Sequence, residues 1–283
     1  MSLDTCAESL RAHDPDRFGI CLLAPPEARP RLLTLYALNL ELARAPLASA
    51  EPLIAEMRLQ WWIERLEEIG AGAVPSHELL GPLAEAWGAK ASAFAALAEA
   101  RRRDAAREPH DGPDAVVAYV RQTAVSLALF AAEALGGEPA DAGGEIAPPE
   151  PSKGVRTSYW VFGKRRKAEV AQVVAAQAEG LGLAAWLAAL PALQGLGLGL
   201  WDPSPQILED LASRARGRLS EARAQHRAVP RRLAPALFPG AGVDPVLRAA
   251  PKGIEALAAL PVPSEFRRRL ALGAFSLTHR WWL

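Results

Sequence analysis

An all-α fold is what this 283-residue sequence predicts, and three observations carry the prediction. Valine, isoleucine, threonine and tyrosine are sparse and period-two alternation persists nowhere, so strand signals are nearly absent. Apolar residues instead recur at helical intervals between prolines and glycines. Half of the residues are hydrophobic and 23% are charged, enough apolar material for a sizeable core and too much for wholesale disorder. With no internal repeat and no long linker, residues 1–283 read as one helical domain.

The first strong helix is expected over about residues 27–45, where Leu32, Leu35, Tyr36, Asn39 and Leu42 share a face and Pro46 marks the end. Ser49 reads as the cap of a second helix reaching Ile69, with Leu53, Met57, Gln60 or Trp61, and Ile63 or Glu64 at helical intervals. A third is expected over residues 76–107. A fourth opens at Pro113 and runs through Val116, Val120, Thr123, Leu127 and Phe130 to Leu135. Residues 136–158 are proline- and glycine-rich and read as an exposed insertion. A long apolar helix follows over about 164–190, another from Ser204 and Pro205 to near Arg227, and two shorter ones over 244–260 and 264–282. In the last, Phe266, Leu270, Ala274, Leu277 and Trp281 form one stripe beside Arg267, Arg268 and Arg269.

Charge and cysteine content exclude several classes of function. Lysine plus arginine equals aspartate plus glutamate at 32 each, so the basic surplus of a nucleic-acid binder is missing. Cys6 and Cys21 are too few for a disulfide framework, and no Cys/His cluster has zinc spacing. The amino terminus carries no basic-then-apolar run, so no secretory signal is expected. Only five of the 32 basic residues are lysine, which together with abundant alanine, glycine and proline suggests GC-rich bacterial coding and a cytoplasmic location.

Four features invite a functional reading. Residues 180–201 hold no charge and are long enough to cross a bilayer, but Pro191, Gly195, Gly197 and Gly199 favour a core helix followed by a turn. The run Tyr159-Trp160-Val161-Phe162 precedes Lys164-Arg165-Arg166-Lys167. It reads either as a membrane or partner patch (Trp160, Lys164, Arg165, Arg166, Lys167) or as a solvated helix start beside a core anchor. His279-Arg280-Trp281-Trp282 raises the same choice. Glu64/Glu68 and Asp104/Glu108 have the one-turn spacing of a metal clamp, but both sit among arginines, the setting of surface ion pairs.

Several stretches then resemble the squalene/phytoene synthase family. They are Arg17-Phe18, Leu22-Leu23-Ala24-Pro25, Arg29, Leu35-Tyr36-Ala37-Leu38-Asn39, Arg58-Leu59-Gln60-Trp61-Trp62-Ile63-Glu64-Arg65-Leu66, Tyr119, Thr123-Ala124, Ser126 and Leu181-Gly182-Leu183-Ala184. The resemblance implies an isoprenoid-synthase-like bundle around a central apolar cavity. It also implies two aspartate-rich motifs holding magnesium on a substrate diphosphate, since a polyanion needs metal gripped by several carboxylates. Here the first motif position reads Ala43-Arg44-Ala45-Pro46-Leu47-Ala48, with Glu41 one turn early, and the second wall offers only Glu169 and Glu179 between residues 168 and 200.

The pattern Asn39-Leu40-Glu41-Leu42-Ala43-Arg44 followed by Arg58-Leu59-Gln60-Trp61-Trp62 looks more like one branch of the family, a non-catalytic one that includes the mitochondrial complex I assembly factor 6. That implies a catalytically silent protein without metal or other cofactor. Its expected partners are respiratory complex I subunits or an isoprenoid lipid, met as a peripheral protein on the inner face of the cytoplasmic membrane. The alternative is an active prenyltransferase with magnesium on non-standard acids, Glu41 with Glu64 and Glu68. The expected lining of a residual pocket is Tyr36, Glu41, Arg44, Arg58, Trp61 and Trp62, with Arg58 and Glu41 open to an alternative role as a structural ion pair between helices.

Overall fold

A computed structural model describes residues 3–136 and 158–282, and for residues 158–166 the backbone alone. The expected insertion therefore lies, but for its two end residues, outside the described residues. Among the described residues there are helices and one isolated bridge between His110 and Leu200, and no strand.

Two helices precede the first one expected: α1 (Leu3–His13) and α2 (Pro15–Leu23). They meet at Asp14, whose carboxylate accepts the Arg17 backbone N–H at 3.1 Å and the Arg17 guanidinium at 2.8 Å, with Pro15 opening α2. Helix α3 (Arg29–Arg44) buries Leu32, Leu35, Tyr36, Leu38, Asn39 and Leu42, the face its spacing predicts. Helix α4 (Pro52–Gly70) begins three residues after Ser49, and Ser49 Oγ accepts the Glu51 N–H in the preceding turn.

The inward face of α4 differs from the expected one. Ala55, Leu59, Trp62, Ile63, Leu66 and Ile69 are buried, whereas Leu53 and Met57 are 72% and 64% exposed. The helix carries apolar residues on more than one side, and the turn at Gly88–Phe94 and the short helices after it pack against the Leu59 side. That same turn breaks the expected third helix. Gly88 takes φ +55°, a conformation that disfavours L side chains, and splits the segment into α5 (Leu80–Trp87), a 3₁₀ stretch, α6 (Ala95–Glu99) and α7 (Arg102–Ala106).

Helix α8 (Pro113–Val120) passes through a π-helical turn at Arg121–Val125 into α9 (Ser126–Ala134). Helix α10 (Ser158–Gly195) is longer than expected at both ends and runs through Pro191. The stretches Pro113–Ala134 and Lys167–Gly195 are long and apolar enough to cross a membrane by length and composition, and 67% of the most apolar window of the second is buried within the fold. The chain closes with α11 (Pro205–Ala224), α12 (Val243–Ala249), α13 (Ile254–Ala258) and α14 (Glu265–Thr278).

Two apolar cores share α10 as a common spine. Val173, Val174 and Ala176 join the core built on α1–α6 and α9, while Leu183, Trp186, Leu187 and Leu190 join the one built on α8 and α11–α13. Glycines let the neighbours of α10 come close. A Cβ on Gly180 would stand 2.6 Å from Leu219 Cγ and 2.9 Å from the Ala215 carbonyl oxygen of α11, and one on Gly182 would stand 2.6 Å from Val120 and 2.8 Å from Ala124.

Helix α14 also turns a different face inward from the stripe its spacing suggests. Phe275 and, beyond its end, Trp281 are buried, and Phe266, Leu270 and Leu277 are exposed. Trp281 is held by its backbone carbonyl, which accepts from the buried Gln177 amide of α10 at 3.0 Å.

Candidate functional site

The end of α3 and the outward side of α4 enclose an open-sided groove of about 630 Å³, lined by Glu41, Arg44, Ala45, Ala48, Ile54, Met57, Arg58, Trp61, Trp62 and His77. Five of the six expected pocket residues come together here. The sixth, Tyr36, does not line it: its ring is buried in the first core beneath the Arg17 guanidinium, 5.4 Å from the ring centroid, and burial pushes its hydroxyl pKa up.

Helical geometry explains the lining. Ile54, Met57, Arg58 and Trp61 fall three and four residues apart, so one face of α4 presents two apolar side chains, a cation and an indole together. Trp62 points partly inward, and the two indoles with His77 make a three-ring cluster with centroid separations of 5.0, 5.4 and 5.2 Å in edge-to-face arrangement. His77 Nδ1 accepts the Leu79 N–H at 3.2 Å, which places the proton of the neutral ring on Nε2. Sequence reasoning missed His77 because it comes from the loop before α5, but Ile54 and Met57 were readable from their spacing to Arg58 and Trp61.

The groove's charge is cationic with one acid. Arg44 lies 3.7 Å from Glu41, both about two-fifths exposed, while Arg58 forms no ion pair among the described residues. The alternative role of Glu41 and Arg58 as an ion pair between helices is not taken up: Glu41 faces Arg44 within α3. Such a surface suits an amphiphile: apolar walls for a hydrocarbon chain and guanidinium groups for an anionic or polar head.

The other acids are engaged elsewhere. Glu64 and Glu68 both turn to Arg65, at 3.7 and 2.7 Å, and neither lines the groove. Asp104 accepts the Tyr119 hydroxyl at 2.6 Å, and its pKa is raised by burial. Glu108 has left the helix, because Arg107 ends α7 in the left-handed region at φ +57°. On α10, Glu169 is exposed, while Glu179 is 5% exposed at its side chain and accepts from Arg121 Nε at 2.8 Å and Nη2 at 3.2 Å, with Arg218 Nε 3.5 Å away.

These residues do not fit a diphosphate-bound magnesium cluster. Such a cluster needs several free carboxylates converging from two walls. Among the described residues the groove offers Glu41 beside a guanidinium, while on α10 Glu179 is already paired with two arginines and Glu169 stands alone and exposed. Among the described residues no group of three or more His, Cys, Asp or Glu side chains is gathered in a metal-binding arrangement.

Between the two cores runs a buried polar network. Arg101, 5% exposed, donates to Asn39 Oδ1 at 2.8 Å and to the Leu97 carbonyl at 2.7 Å. His110 packs edge-on against Tyr119 and Trp186, and burial lowers its pKa to about 4. Asn39 and Tyr119 stand out in the sequence, and Asp104 does so as half of a one-turn acid pair; the burial of Arg101, Asp104 and His110 does not, since nothing local to those residues signals it. Of the aromatic–basic patch, the side chains of Trp160, Lys164, Arg165 and Arg166 lie outside the described residues, and Lys167 is exposed.

Comparison with known proteins places this arrangement. The squalene/phytoene synthase sequence model matches residues 10–185. The human NADH dehydrogenase (ubiquinone) complex I, assembly factor 6, is 38% identical over 64 residues, 23% of this chain, and the match spans only 19% of that protein's length. A dehydrosqualene synthase crystallised with a ligand superposes with a TM-score of 0.64 over 96% of this chain and 94% of the other, at 12% identity. Squalene synthase HpnC from Alicyclobacillus acidocaldarius gives a TM-score of 0.59 over 95% and 94%, at 17% identity. At those identities the two structures speak for the fold alone.

Proposed function

The chain belongs to the squalene/phytoene synthase family, and we propose that it is a catalytically silent member that assists assembly of the respiratory NADH dehydrogenase at the inner face of the cytoplasmic membrane. In this reading the α3–α4 groove holds an isoprenoid-type lipid without metal. One observation carries it: Arg44, a guanidinium, lines the groove at the position where the family resemblance calls for metal-binding acids. A cation there attracts an anionic head directly and repels the divalent ions that would otherwise bridge to it.

The assembly role is supported by the local match to complex I assembly factor 6. Two measurements test the reading. Purified protein with farnesyl or geranylgeranyl diphosphate and magnesium is expected to release no pyrophosphate above the blank; release would establish a prenyltransferase instead. Deleting the gene is expected to lower NADH–quinone activity in isolated membranes, and unchanged activity would remove the assembly role.

A further inference from the structure

We infer that the outward face of α14 is a membrane-interface surface, on which the protein rests against anionic lipid. This deepens the membrane location proposed above but stands on a different part of the molecule.

The face is left over by tight packing on the opposite side. Leu272 of α14 sits so close to Gly19 of α2 that a Cβ there would meet its methyl at 2.4 Å. Arg268 reaches Asp16 of α2 at 2.9 Å, Phe275 packs on Phe238 with ring centroids 5.1 Å apart, and Trp281 is tied to Gln177. Ser264 caps the start by accepting the Arg267 N–H, and His279 closes the end with a left-handed φ of 51°. The helix is thereby pinned along its length and cannot rotate to bury its other side.

That other side carries Phe266, Leu270 and Leu277, exposed by 74%, 60% and 87%. At 100° per residue they fall within a sector about 40° wide, with Gly273 beside them, and Arg267 and Arg269 project on its two flanks. Glu265 is the single acid between residues 264 and 282, and it pairs with Arg269 at 2.5 Å in full solvent. Arg280 adds a further exposed cation at the end.

An apolar stripe bordered on both sides by arginines is the pattern of a helix lying flat at headgroup depth, where the apolar groups enter the acyl boundary and the guanidinium groups meet phosphates. The charge selects this occupant: a second copy would bring the same arginines against each other, whereas an anionic bilayer complements them. With 14 residues, α14 is about 21 Å long, too short to span.

The test uses the purified full chain in sedimentation with phosphatidylcholine vesicles, with and without phosphatidylglycerol. Wild type is expected to bind the anionic vesicles, to be released by salt, and to bind pure phosphatidylcholine weakly. Leu270→Ser/Leu277→Ser and, separately, Arg267→Glu/Arg269→Glu are expected to weaken binding about tenfold or more. Because all four side chains are exposed, both variants should melt with wild type, which separates lost binding from lost fold. Failure of wild type to bind anionic vesicles would overturn the inference. So would binding unchanged in both variants, or a wild-type dimer in light scattering that the leucine substitutions dissolve. None of these outcomes depends on complex I activity, which the deletion strain reads independently.

Discussion

The α3–α4 groove and the α8–α10–α11 packing treat their acids in different physical ways. In the first, the residues themselves differ: of positions 43–48, Arg44, Ala45 and Ala48 line the open groove and none is an acid. In the second, an acid is present but committed, since Glu179 is buried between Arg121 and Arg218 and flanked by glycines that seat neighbouring helices against α10. An acidic residue in the right helix is therefore no evidence of a ligand; what matters is the cation it already faces.

This contrast makes the two regions respond differently to substitution. The largest difference is expected at the glycines. Gly180→Ala drives a methyl into the Ala215 carbonyl of α11, which cannot swing aside as a side-chain tip would, and should cost about 3 kcal/mol, lowering Tm by roughly 5 °C. Ala43→Val, at an exposed position near the end of α3, should change Tm by less than about 1 °C. Equal shifts in a thermal melt would abolish the distinction.

The pH dependence of stability should come from the closed side. The unfolded chain protonates this imidazole near pH 6.5 and the folded chain near pH 4, so the His110 contribution is whole above pH 6.5 and is lost as pH falls toward 4. Its full span is about 3 kcal/mol. Asp104, with its pKa raised by burial, acts in the opposite sense, losing stability as pH rises through its shifted value. Urea melts of wild type and His110→Gln across this range isolate the histidine: their difference should grow with rising pH, and a constant difference would contradict its assignment as a neutral buried ring.

Ion pairs should separate the two regions by a smaller margin. Glu179→Ala removes the shared partner of two arginines and should cost about 2 kcal/mol, reduced from the cost for a fully buried pair because Arg121 is itself largely exposed. Glu41→Ala breaks a 3.7 Å contact between half-exposed groups and should cost less than about 0.5 kcal/mol. The smallest effect is expected from placing acids in the groove alone. Arg44→Asp/Ala48→Asp, both in the groove lining, should leave magnesium-dependent pyrophosphate release at the blank, because Glu179 stays paired with Arg121 and Arg218; measurable release would show that acids on this side suffice.

Much of this was legible in the residues. The helical period, the proline starts at Pro113 and Pro205, the α3 face through Leu32, Tyr36 and Asn39, and the missing acids at residues 43–48 are local properties, written where they act. Five groove residues were readable as well, because helical spacing and one short turn bring the end of α3 next to α4. Facing was not. Both α4 and α14 carry apolar residues on two sides, so spacing gives a stripe without saying which stripe meets the core; in each case the stripe suggested by spacing is largely the exposed one. That choice belongs to distant contacts: the Gly88 turn against α4, and Gly19, Asp16 and Gln177 against α14 and its tail. The fate of Glu179 was equally hidden, since its arginines lie 58 residues before it in the chain and on α11 after it. Periodicity is set by the backbone and survives in any context, whereas burial and charge pairing are set by whatever the rest of the chain brings alongside.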